Sequence, residues 1–152
     1  MATTGICRLP ACTDLGLLIL RLWLGMLGMF HGAQKVFGTC GGPGIDGFAG
    51  FLKSLDIPNP TAAAWGAGLS EFGGGVLVLI GLLARIAAIP FMATMIVAFA
   101  TAHHGVFDVQ KQGGEYPLTI AAGLLVIIVA GPGRYSAMAM ICKSGDGAKP
   151  AA

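Results

Sequence analysis

Charge is what this sequence has least of. Only 11% of its 152 residues are Asp, Glu, Lys or Arg, against roughly 25% in a soluble globular domain, which argues against a water-exposed fold. The nine basic residues are scattered and the formal net charge is only +2, so there is no basic patch for nucleic acid. An aromatic content of 8% supplies no stacking platform either. The four cysteines, Cys7, Cys12, Cys40 and Cys142, form no CxxC pair and no Cys/His spacing of a zinc site. Met1 to Thr13 is mixed, contains Pro10 and lacks an apolar core ahead of a cleavage site. The first long apolar stretch is therefore expected to be retained as a helix rather than removed as a signal peptide.

Apolar length is abundant instead. The chain is 55% hydrophobic with a mean hydropathy of +0.80, and a membrane-spanning helix needs roughly 20 mainly apolar residues. Four segments qualify or nearly so, at about residues 15–37, 62–83, 85–103 and 117–131. The expected fold is all-α: an integral membrane four-helix bundle over residues 15–137, an N-terminal segment before it and a flexible tail over 138–152. Asp14 is the expected N-cap of the first span. Glycines and Pro43 end that span, and the loop after it carries Phe48, Phe51, Leu52 and Leu55 at helical spacing, which reads as a short interfacial helix. Only Arg85 charges the turn between the second and third spans, which predicts a tight antiparallel hairpin. Four spans put both termini on one side, with Arg8, Arg85, Arg134, Lys143 and Lys149 against Lys35, Lys53 and Lys111 on the other. The positive-inside rule then places the termini in the cytoplasm and the chain in the cell membrane.

The few ionisable residues within the spans are patterned. Arg21, Gly25, Gly28, Gly32 and Lys35 follow steps of four and three on one face of the first span, and Gly68, Glu71 and Gly75 share a face of the second. Small residues of this kind let membrane helices approach closely, so the charges are expected to look into the bundle. A charge in the middle of a span costs about 2.5 to 3.5 kcal/mol on insertion scales, and pairing offsets it. Counting about 1.5 Å per residue puts Arg21 roughly 9 Å from one end and Glu71 roughly 14 Å from the other, about one helical turn apart in depth. The expected pair is Arg21 with Glu71, either a register-fixing salt bridge or the polar floor of a ligand cavity. A second group, His31, Lys35, His103, His104 and Glu115, gathers at the outer end, with Gln34 and Tyr116 beside it.

Two chemistries fit these residues. His31, His103 and Glu71 are imidazole and carboxylate ligands suited to a transition metal, although no motif such as HExxH is present. Alternatively, His and Glu could hydrogen-bond a quinone carbonyl and exchange its protons, which is positioned acid-base catalysis. Non-catalytic scaffolding is the other class, with the polar residues fixing packing only. Transport has the least support: there is no inverted repeat and no span broken at its midpoint, so a pathway would require a homo-oligomer.

The order of these features resembles the DoxX (DoxX/DoxD-like) family of small four-helix membrane proteins. The resemblance runs over about residues 15–136. It rests on Arg21 and Gly25, on Gly32 and Lys35 before a glycine-rich loop, on Glu71 followed by Gly73 and Gly74, and on the Gly81-Leu82-Leu83-Ala84-Arg85 turn. His103, Gly113-Gly114-Glu115, and Gly131-Pro132-Gly133 with Ser136 complete it. The family name is tied to the membrane part of a thiosulfate:quinone oxidoreductase. The resemblance implies membrane redox work as one possibility: a subunit of a redox complex, with the lipid bilayer and redox proteins as partners, that binds a quinone-like or other small hydrophobic molecule.

Overall fold

The computed structural model describes residues 10–146; Cys7, Arg8 and Lys149 lie outside them. Among the described residues every regular element is helical. Helix α1, Pro10–Phe37, starts four residues before Asp14, so Asp14 is not its N-cap. The Asp14 carboxylate instead accepts the Arg134 backbone N–H at 2.9 Å and pairs with its guanidinium at 3.3 Å, tying α1 to the segment after the last span. Gly38 ends α1 with φ 68°, the left-handed region that glycine enters without a Cβ penalty.

Helix α2, Gly44–Ser54, is the expected short helix of the first loop, with Asp46 in its first turn and Lys53 in its last, both signs favourable to the helix dipole. Helix α3, Pro60–Ile80, opens on proline and closes on Gly81 at φ 74°. There the Leu82 N–H reaches back to the Leu77 carbonyl, a Schellman closure. Only residues 81–83 separate it from α4, Ala84–Thr101, which makes the predicted hairpin. Helix α5, Glu115–Ala130, tolerates Pro117 in its first turn and stops at Gly131. A sixth helix, α6, Ala137–Asp146, occupies part of the stretch expected to be a flexible tail. Its signal is Ser136, whose hydroxyl accepts the Ala139 N–H as an N-cap, on a run too short to read as a span.

Cys12–Phe37, Pro60–Ile80 and Ala84–Thr101 are long and apolar enough to cross a membrane. The 16 residues of α5 cover about 24 Å, slightly less than a hydrocarbon core of about 30 Å. Large apolar side chains such as Ile19, Trp23, Ile86, Val97, Leu125 and Val129 point outward, the arrangement a lipid solvent rewards. Inside, Leu24, Val78, Phe91, Leu124 and Ile127 form the core.

Helix α1 lies chiefly against α3, α3 against α4 and α4 against α5, and α1 closes on α5 over a short stretch. The α1–α3 seam is made of glycine. A Cβ on Gly75 would sit 2.6 Å from the Met29 nitrogen and one on Gly28 2.8 Å from the Glu71 carbonyl oxygen, both inside contact distance. These contacts fix an antiparallel register in which Gly25 faces Gly75, Gly28 faces Glu71 and Val36 faces Gly68.

Candidate functional site

This register decides which charge meets Glu71. Arg21 lies seven residues below Gly28, about 10 Å along the axis, and comes level with Gly81 rather than Glu71. Helical side chains lean toward the N-terminus, so Arg21 and Glu71, on antiparallel helices, lean apart. By the same rule Lys35 leans back along α1 toward Glu71. The expected Arg21–Glu71 pair is therefore replaced by Lys35–Glu71, joined by a direct ion pair between the ammonium and Oε2.

Arg21 is sealed at the opposite end, 1% exposed. Its Nη2 donates to the Tyr135 carbonyl at 2.5 Å, while Nε and Nη1 meet no hydrogen-bond acceptor among the described residues. Gly81 and Ser136 close around it so tightly that a Cβ on Gly81 would strike the guanidinium and lie 2.6 Å from the Ser136 Cβ. Arg21 lines neither of the two cavities beside Glu71, so the structure separates it from the other expected site residues there.

The Glu71 end is hollow. Glu71 is 1% exposed and Lys35 22%, and the Lys35 ammonium also stands 5.4 Å from the centre of the Phe48 ring on α2, a cation–π distance. Beside the pair lies an inner cavity of about 160 Å³ between α1, α3, α4 and α5, into which His31, Lys35, Glu71, His103 and Tyr116 project among Leu27, Phe91 and Ile120. A second cavity of about 400 Å³ lies beneath α2, between Phe48, Phe51 and Leu52 on one side and Val97, Ala98 and Thr101 on the other. Lys35, Glu71, Ala98 and His103 line both cavities.

Hydrogen bonds fix the two imidazoles. Gln34 gives its Nε2 to the Cys40 carbonyl at 3.4 Å, which turns its Oε1 toward His31 Nδ1 at 3.2 Å. That oxygen can only accept, so Nδ1 holds the proton and Nε2 accepts from the Tyr116 hydroxyl at 2.7 Å. His103 Nδ1 donates to the Gln112 carbonyl at 2.7 Å, which makes Nε2 the basic nitrogen of the neutral ring. Among the described residues no group of three His, Cys, Asp or Glu side chains is gathered for a metal ion; His31, His103 and Glu71 do not converge as the metal reading required.

Besides Arg21, two further expected site residues line neither cavity. His104 is exposed, at φ 50° in the turn after α4. Glu115 accepts the Val109 N–H at 3.1 Å and so holds the loop before α5. Tyr116 takes Glu115's place in the cavity wall. One residue turns a side chain about 100° around the helix, so which of the two faces the cavity depends on the rotation of α5.

Comparison with known proteins fits this architecture. The sequence profile of the DoxX family matches residues 16–104. The inner membrane protein YqjF of Escherichia coli is 31% identical over 81% of this chain and 89% of its own length. The membrane protein Rv3486 of Mycobacterium tuberculosis is 31% identical over 77% of this chain and 76% of its own. CatD of Bacillus subtilis, which bears an oxidoreductase name, is 34% identical over 58% of this chain and 60% of its own length. No solved structure matches the chain. An outward apolar surface, a glycine-built helix pair and the profile match over the first three spans lead to one assignment: the chain is a membrane protein of the DoxX family.

Proposed function

We propose that this protein is a membrane subunit that holds the ring of a quinone-like molecule between its helices. The observation that carries the reading is the inner cavity of about 160 Å³, apolar in its walls and reached by Lys35, Glu71, His31, Tyr116 and His103. A dry cavity of about 150 Å³ accepts one benzene ring, so the space suits a single six-membered ring. The groups around it suit its carbonyls: the Lys35 ammonium and the Tyr116 hydroxyl are donors, and Glu71 and His103 are acids or bases that can exchange the protons of a quinol. Lys35, Glu71 and His103 line both the ring site and the cavity beneath α2, which gives those protons carriers toward the loop end. Electrons would come from a partner protein, in keeping with the oxidoreductase name carried by CatD. The excess of Arg and Lys at the terminal side supports cytoplasmic termini, and the inner-membrane relative supports the cell membrane.

The test is ligand-dependent stabilisation. Short-chain quinone and quinol analogues are titrated into purified protein, and unfolding is followed by heat. A ligand at a hundred times its Kd stabilises by about 2.7 kcal/mol. The gain is expected in the native chain and is expected to fall in Glu71→Gln and His103→Ala. Absence of any ligand-dependent shift would transfer support to a scaffold role. One observation favours that second reading: Lys35 and Glu71 already satisfy each other, as a purely structural pair would.

A further inference from the structure

Helices α1 and α5 touch over only a short stretch. On the lipid side of this seam runs a groove of about 320 Å³ bounded by Leu20, Leu24, Thr119 and Gly123. Leu27, Tyr116 and Ile120 line both this groove and the inner cavity, so one layer of side chains separates the cavity from the bilayer. Tyr116 is 45% exposed, and its hydrogen bond to His31 ties the two helices at this level. From Leu27 to Leu20 the groove follows α1 for about 10 Å, away from the loop end and toward the middle of the spans. Gly123 keeps it open: a Cβ there would already lie 3.1 Å from a Leu24 methyl and 3.5 Å from a Leu20 methyl.

We infer that the α1–α5 seam is the membrane-side entrance of the inner cavity, and that the cavity takes a ring-headed lipid whose hydrocarbon tail leaves through the groove. The inference rests on the ring-binding reading above and names its ligand class. A cavity of this size holds the head group alone, so a tail must leave by the groove or beneath α2. The α2 side mixes apolar walls such as Phe51 and Leu52 with Lys35, Glu71, His103 and Gln112, so hydrocarbon there would cover charged and hydrogen-bonding groups. The groove offers the tail Leu20, Trp23, Leu24 and Ile120. Its Thr119 hydroxyl is already given to the Glu115 carbonyl at 2.7 Å. Lipid is as apolar as the groove, so the groove supplies room rather than driving force. Filling it should exclude tailed ligands on steric grounds and spare the head-group site.

The experiment uses the full chain in lipid nanodiscs and two probes with one benzoquinone head, one without a tail and one with a long alkyl tail. Both are titrated into the native protein, Gly123→Leu and Leu52→Trp, the last narrowing the cavity beneath α2. The expected result is that Gly123→Leu weakens the tailed probe about tenfold or more and leaves the tail-less probe within twofold, which also shows that the variant is folded. Leu52→Trp should then leave the tailed probe unchanged. The inference is overturned if Gly123→Leu leaves the tailed probe unaffected, if it weakens both probes equally, or if Leu52→Trp is the variant that excludes the tail. If neither probe binds the native protein, the ring-binding reading falls and this inference with it, an outcome distinct from binding that ignores Gly123.

Discussion

The two ends of the α1–α3 pair start from the same sequence device, an ionisable residue on a glycine stripe, and finish in opposite states. At one end Arg21 is enclosed by Gly81, Tyr135 and Ser136 and is 1% exposed. At the other, Lys35 and Glu71 stand at the junction of two cavities. The difference comes from what arrives from the rest of the chain. The hairpin turn and the segment ahead of α6 fold onto Arg21 and fill its surroundings. Around Glu71, α4, the turn after it and α5 contribute Phe91, His103 and Tyr116 without closing the space. A buried charge in a bundle thus signals packing or a ligand according to the room left beside it, and its own residue type does not tell which.

Four substitutions would sharpen or break that comparison. The largest effect is expected for Gly81→Val, which puts a β-branched side chain at φ 74° against the guanidinium. Left-handed strain of about 1–2 kcal/mol and overpacking of about 1–3 kcal/mol add to a loss of about 2–5 kcal/mol, read as thermal stability in detergent or nanodiscs. If Gly81→Val unfolds no more easily than the native chain, the sealed end is not sealed. Glu71→Gln is next. It leaves Lys35 without its counter-charge, but Lys35 lies close enough to the loop end to snorkel, so stability should fall by only about 1–2 kcal/mol while quinone-dependent stabilisation is lost. Equal losses of stability from both changes, with ligand response intact in Glu71→Gln, would erase the contrast between the two ends.

Tyr116→Phe removes the hydroxyl given to His31 and should cost about 0.5–1.5 kcal/mol. Amide exchange at the start of α5 should rise, and exchange around residues 81–83 should stay as it was. A rise at both places would mean that the ends are mechanically coupled. The smallest effect is expected for His104→Ala, within about 0.5 kcal/mol of native stability and with unaltered ligand response, because His104 is exposed and lines neither cavity. A lost ligand response there would return His104 to the site.

Much of the architecture is legible in the sequence by itself. Scarce charge and apolar segments of spanning length require a membrane bundle, since in lipid the backbone must satisfy its own hydrogen bonds. Gly38 and Gly131 mark helix ends, and the steps of four and three place Arg21, Lys35 and Glu71 on the glycine faces. All of these depend on neighbours within about one turn of chain. Three features depended on tertiary structure: that Glu71 pairs with Lys35 rather than Arg21, that Tyr116 rather than Glu115 lines the cavity, and that two cavities meet beside Glu71. Each follows from the axial offset and rotation of one helix against another. The glycine contacts between Gly25 and Gly75 and between Gly28 and Glu71 set that offset, and it is a property of the packed pair that neither helix carries alone.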